Sequence, residues 1–193
     1  MSYTVISDVS ETLIELLKDN LTPEPISNKE NIVVCSPAEK GDSQLSLYLY
    51  NIAENGFNRE VNMIPMEDGN LRFPPKSFYL HYLLTAYSTS ELSSKVLDEH
   101  KILGKAIQVI LDNPILRGNM LKGSLNGSDT EVKIEVKNLT YDEMMRVWHF
   151  SDVPYRLSVA YTVGPIYMDS NRVKIVKRVK RSEININRKN GVR

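Results

Sequence analysis

The sequence predicts an α+β fold in which a mixed, mostly antiparallel sheet is flanked by helices and followed by an extended basic arm. Three observations predict it. Two stretches space their apolar residues as helices do, several shorter runs alternate with a period of two, and basic residues crowd into the last 22 positions.

The elements follow in order. Ile6, Val9, Leu13 and Leu17 recur at three and four residues, with Glu11, Glu15 and Lys18 between them, which predicts a helix over 4–20. Pro23 and Pro25 end it, because proline cannot continue the backbone ladder. Residues 31–36, with Ile32, Val33, Val34 and Cys35 at the centre, read as a short buried strand. Residues 44–52 alternate Leu45, Leu47 and Leu49 against Ser46, Tyr48 and Tyr50. Free water would not select that aromatic side, so it is expected to meet a helix or another subunit. Glu54-Asn55-Gly56 stops this strand, and a long loop to Pro75 carries a weak hairpin turning at Asp68-Gly69-Asn70.

Residues 77–87 are aromatic and aliphatic on both faces, as suits a central strand covered on two sides. Ser88, Thr89 and Ser90 offer caps for a helix running to about Asp112, with the stripe Leu92, Val96, Leu103, Ile107 and Ile110. Residues 131–137 alternate charge with Val132, Ile134 and Val136, the pattern of a half-exposed strand. Thr140 caps a short helix through Trp148, with Glu143 as its capping-box partner. A long strand over 155–167 and a last one through Val173, Ile175 and Val179 complete the pattern. The expected division is a body over 1–171 and a basic strand or arm over 172–193.

Composition excludes several classes. The 193 residues carry 24 basic and 24 acidic side chains, and 41% are hydrophobic. That is enough chain for one domain with an ordinary core. No run reaches the ~18 apolar residues of a membrane helix, and the acidic start does not read as a signal peptide. One cysteine, Cys35, rules out an internal disulfide framework and points to folding in a reducing cytoplasm. The neutral total hides a split. Residues 172–193 hold nine basic residues against Glu183, net +8, while residues 1–171 hold 15 basic and 23 acidic ones, net −8.

No catalytic, cofactor or metal site is expected. His81, His100 and His149 lack ligand spacing and sit on three different expected elements. Cys35 lies in an apolar run, where a small buried residue is the plain reading. The glycines have neither the Walker nor the dinucleotide spacing. Asp142 and Glu143 are adjacent and point to different sides of a helix. Asn126-Gly127-Ser128 and Asn138-Leu139-Thr140 match the glycosylation sequon, which short sequences meet by chance.

The arm is the informative feature. Its strand-like part contains Arg172, Val173, Lys174, Ile175, Lys177, Arg178, Val179, Lys180 and Arg181. Nucleic-acid binding would set the cations against phosphates, but no aromatics interleave for base stacking, and the acidic body would repel a polyanion. The competing readings are docking onto an acidic protein surface, of another copy or of a partner, and a plain solvated tail.

Five segments together resemble one family: Pro74-Pro75 with Tyr79-Leu80-His81-Tyr82-Leu83-Leu84-Thr85-Ala86-Tyr87; Glu99 to Val109 followed by Asn113-Pro114-Ile115-Leu116; Pro154 to Tyr161; Leu45 to Tyr50 with Glu54-Asn55; and Leu139 to Trp148. They span nearly the whole chain, in order. The chain is similar to the cap, or tail-terminator, proteins of phage-tail-like extracellular contractile injection systems, the Photorhabdus virulence cassette and antifeeding-prophage type. The resemblance implies a tail-terminator-like fold and a structural, non-enzymatic role without cofactor or small-molecule substrate. It implies a homo-hexameric ring bound to tube and sheath proteins, closing the end far from the baseplate and stopping polymerisation. The particle would be assembled in the bacterial cytoplasm, and the resemblance leaves open whether it is then released or stays anchored. Within that reading Tyr48, Tyr50, Tyr79 and Tyr87 are candidate interface anchors. The alternative function is a nucleic-acid-binding module built on the arm, the class the charge split disfavours.

Overall fold

A computed structural model describes residues 3–56, 62–150 and 153–176 of the chain. The amphipathic start folds as helix α1 (Val5–Leu21), burying Val5, Val9, Leu13, Leu17 and Leu21 along one stripe. A second helix, α2 (Leu92–Asp112), packs beside it. Both lie on one face of a six-stranded sheet.

That sheet contains β1 (Ile32–Val34), β2 (Leu45–Glu54), β5 (Lys76–Ala86), β6 (Ile115–Arg117), β7 (Glu131–Val136) and β8 (Ser158–Met168). The spatial order is β1-β2-β5-β8-β7-β6, and only the β1–β2 pair is parallel. The period-two pattern decides which side chains meet the helices. Leu45 and Leu47 of β2, Leu80, Tyr82 and Leu84 of β5, and Tyr161 and Val163 of β8 join the helix stripes in the main core. The Tyr82 hydroxyl reaches Ser10 of α1 at 2.8 Å, and burial pushes its pKa up to about 12. β5 is central and covered on both sides, as its two-faced apolar sequence predicts.

The opposite face is capped at one end by the short helix α3 (Tyr141–Val147). Leu83, Ala160 and Trp148 form a second buried cluster there, with Tyr48, Tyr50, Met144 and Phe150 packed against it. The aromatic side of β2 therefore meets a helix of its own chain. The capping box of α3 is present: the Glu143 amide donates to Thr140 Oγ1, and the Thr140 amide donates to Glu143 Oε2 at 2.9 Å.

Several expectations need correction. The segment around β1 is an edge strand, so only Ile32 is buried and Val34 is 46% exposed. α2 begins from Glu91 without a side-chain cap; the Ser90 hydroxyl donates to Asp98 instead, at 2.6 Å. Its buried stripe is Ile102, Leu103, Ala106, Val109 and Ile110, whereas Val96 is 56% exposed and the Leu92 side chain lies outside the described residues. The first turns of α2 run past the sheet, and Glu99 fastens them to the chain ahead of β8 through Arg156 at 2.8 Å. β8 itself begins at Ser158, which pairs with Thr85 at the end of the β5–β8 ladder.

Between β6 and β7 the chain makes two single 3₁₀ turns, at Gly118–Met120 and Gly123–Leu125. This loop is fastened to α1. The Ser124 amide donates to Asp8 Oδ2 at 3.0 Å, the Ser124 hydroxyl adds a second bond, and Thr4 Oγ1 donates a third at 3.0 Å. The Lys122 amide donates to Thr12 Oγ1 at 2.9 Å. Asp8 stands in the first turn of α1, and a buried carboxylate needs its lone pairs filled; Ser124 of the loop and the N-cap residue Thr4 fill them.

A separate three-stranded sheet, ordered β3-β4-β9, consists of β3 (Ile64–Pro65), β4 (Leu71–Arg72) and β9 (Val173–Lys174). β3 and β4 are the expected hairpin. Its turn is held by Asp68, whose carboxylate accepts from the Asn70 amide at 2.9 Å; hydrogen bonds from Asn70 hold the Asp68 carboxyl below the usual carboxylate range.

Candidate assembly interface

The structure divides the arm. Arg172 to Val176 lies within the described residues, while Lys177, Arg178, Val179, Lys180 and Arg181 lie outside them. β9 pairs antiparallel with β4, Leu71 opposite Lys174 and Arg72 opposite Val173. The Phe73 amide donates to the Arg172 carbonyl at 3.1 Å, and the Arg172 guanidinium stacks 4.3 Å from the Phe73 ring centre. At the hinge, Arg72 pairs with Asp169 at 3.6 Å. Sequence reasoning placed the strand but not its partner in the same chain. The hairpin turn was the available signal, yet nothing local links it to a segment a hundred residues later.

Along this strand the apolar side chains stay in water. Val173 is 44% exposed, Ile175 77% and Val176 39%.

The four candidate aromatics occupy different settings. Tyr87 is buried: its hydroxyl lies 3.2 Å from Ser46 Oγ, and Lys40 and Arg156 approach the ring at 5.1 and 5.6 Å. Tyr48 is half-buried and meets Phe150 edge-on at 5.7 Å. Tyr50 stacks on His81 at 6.0 Å, and Tyr79 is half-buried on the same strand as His81. The fold thus gathers Tyr48 and Tyr50 under the α3 region and leaves Tyr79 apart from them.

His81 is buried, with Nδ1 3.1 Å from Thr162 Oγ1. Burial, reinforced by Lys137, lowers its pKa from the ordinary 6.5. The folded state therefore disfavours the imidazolium. The stabilisation is complete above the unfolded-state pKa and is lost as pH falls from there through the lowered folded-state value. Tm should decline on acidification from pH 7.5 to 5, and His81→Asn should flatten that part of the profile, as read by scanning calorimetry.

Chemistry elsewhere is sparse. Among the described residues, no group of three His, Cys, Asp or Glu side chains could hold a metal ion. His100 and His149 are exposed, on α2 and just after α3. The Cys35 thiol is pushed up by burial and by Glu39, which leaves little thiolate near neutrality. An open groove of about 710 Å³ beside α2 is lined by Glu24, Gln44, Ser88, Ser90, Asp98 and Lys101. There Asp98 accepts from Ser90 at 2.6 Å and pairs with Lys101 at 3.5 Å. No helix among the described residues is long and apolar enough to cross a membrane.

Sequence comparison supplies the family. The model of the Pvc16 N-terminal domain matches residues 8–182, nearly the whole chain. The chain is a member of the Pvc16 N-terminal domain family. No curated protein matches its sequence. Two solved structures share the fold of this Pvc16 N-terminal domain at 16% identity each. One is the sheath/tube terminator of PVC, an extracellular contractile injection system, in its extended state (TM-score 0.61, 97% of this chain covered). The other is the tube-terminating cap of the anti-feeding prophage (TM-score 0.60, 93% covered). The matches span 65% and 61% of those two chains, so each relative is longer than the part shared. The α+β, terminator-like architecture expected from the sequence is the one observed.

Proposed function

We propose that this chain is a structural terminator of a contractile injection system, closing the baseplate-distal end of the inner tube and sheath and stopping their growth. The observation that carries the reading is the terminator fold along 97% of the chain, joined to family membership over residues 8–182. A growing tube is a stack of rings, each offering the next a complementary face. A terminator matches one face and presents a different one outward, so addition ends. Six copies in a ring would match the symmetry of such a stack. The role needs shape rather than chemistry, so the chain acts without catalysis, cofactor or small-molecule substrate. Assembly takes place in the bacterial cytoplasm.

Within this reading the basic arm from Arg172 to Arg181 is the partner-binding segment, its charge favouring encounter with acidic neighbours. Tyr79, half-buried on β5, is the candidate aromatic best placed to add an anchor; Tyr48 and Tyr50 pack under α3, and Tyr87 is buried beside Ser46.

Deleting the gene in a producing strain tests the function. Electron microscopy should then show tubes and sheaths of scattered length with open distal ends. Particles of uniform length, closed at both ends, would overturn the proposal. A chain truncated after Asn171 should in turn be depleted from the distal end of otherwise complete particles.

A further inference from the structure

Helix α2 has two unlike sides. Ile102, Ala106, Val109 and Ile110 turn inward to the core, and the opposite side faces water. A helix turns about 100° per residue, so Leu97, Gly104 and Leu111 fall nearly in line along that outer side. The two leucines are 62% and 63% exposed, and Val96 stands beside the first of them. Between them Gly104 leaves open space where a Cβ would stand.

This stripe is symmetric. Leu97 and Leu111 lie equally far to either side of Gly104, so the same stripe run backwards matches it. In an antiparallel pair with its dyad at Gly104, Leu111 of one copy drops among Ser93, Val96, Leu97 and His100 of the other. Leu97 drops among Gly104, Ile107, Gln108 and Leu111. Both sets have the i, i+3, i+4, i+7 spacing of a hole that receives a knob. The absent side chain at Gly104 lets the two axes approach. Charge selects the direction. Lys101, whose side chain is 73% exposed beside Asp98, and exposed Asp112 lie on one flank of the stripe, on opposite sides of Gly104. Reversal brings each towards its opposite in the other copy and opposes the helix dipoles, whereas a parallel pair would set Lys101 against Lys101.

We propose that the outer stripe of α2 docks antiparallel against the same stripe of a second copy of this chain. A two-fold contact of this kind closes on itself and does not propagate. Neighbours in a ring are related head to tail rather than by a dyad, so the contact lies outside the ring contacts of the assembly role and joins a copy to one beyond its own ring.

Two single-cysteine chains test this, Leu97→Cys and Leu111→Cys, each combined with Cys35→Ser to remove the only native thiol. Mixed and treated with a short bismaleimide, they should give a covalent dimer at least about tenfold above either chain alone. The proposed pair sets position 97 beside 111 and holds like positions about 21 Å apart along the axis. Equal yield from either chain alone, or no product from the mixture at about 1 mM protein, overturns the proposal. Sedimentation equilibrium on the full chain should show association that Leu97→Asp or Leu111→Asp weakens at least about tenfold. Gly104→Leu should weaken it as much without lowering Tm, because open space surrounds that position in the single chain. Association that survives these three changes overturns the interface. Asp112→Lys should weaken it by about three- to fivefold, and an unchanged or raised affinity would overturn the antiparallel direction. None of these outcomes changes particle length in the gene deletion, so the two proposals fail separately.

Discussion

Replacing Gly164 with alanine is expected to destabilise the protein by about 3 kcal/mol, seen as a fall in Tm of roughly 6–12 °C. Gly164 sits in β8 opposite Lys133, beside the register shift where β5 passes from Phe78 to Leu80. Its φ is +138°, a region that L side chains rarely adopt. An added Cβ would lie 2.9 Å from the Phe78 carbonyl oxygen and 3.1 Å from the Ile166 nitrogen. Both obstacles are backbone of the central ladder, so neither can rotate away. Gly104 is the internal control. It lies exposed on α2 with nothing within 4 Å of a built Cβ, so alanine there should raise stability by about 0.5–1 kcal/mol. Thermal unfolding of the two variants in parallel checks the contrast; equal, small effects would refute the strain argument.

Gly123→Ala should be comparably severe, again about 3 kcal/mol. The new Cβ would stand 2.5 Å from Asp8 Cγ and collide with its carboxylate oxygen. A side chain usually swings aside from such a clash, but Asp8 is held by Thr4 and by two bonds from Ser124. Moving it would leave a buried carboxylate without its donors. Gly41 separates the two contributions, because it too has positive φ (+54°) yet nothing within 4 Å. Gly41→Ala should show only the left-handed backbone term, roughly 1–2 kcal/mol. If the Gly41 and Gly123 variants unfold together in urea, the Asp8 contact carries no weight.

How far the sequence revealed this molecule depends on the range of each interaction. The start of α3 was legible to the residue, because Thr140 and Glu143 complete its cap within four positions. α1, β2 and β5 were legible because their apolar spacing matches the face that meets the core, although β2 loses that cover beyond Tyr50. α2 misled at its start, where Val96 continues the helical spacing but has no sheet beneath it. The apolar run around β1 looked buried because composition does not tell an edge strand from a central one. β6 and the turns after it were missed; their three-residue elements are specified by contacts with α1 rather than by local pattern. For the interface, charge and alternation located the arm, while the pairing of Val173 with Arg72 depends on β4 and is invisible in the arm itself.

The fastening of Asp8 by Ser124 has a bearing on biosynthesis. Donor and acceptor are 116 positions apart. A ribosome must add 116 residues after Asp8 before the α1 segment can be secured, so that segment waits, its carboxylate hydrated and its greasy stripe in search of cover. Nascent chains halted before this point should be good clients for holding chaperones, and those released after it should not.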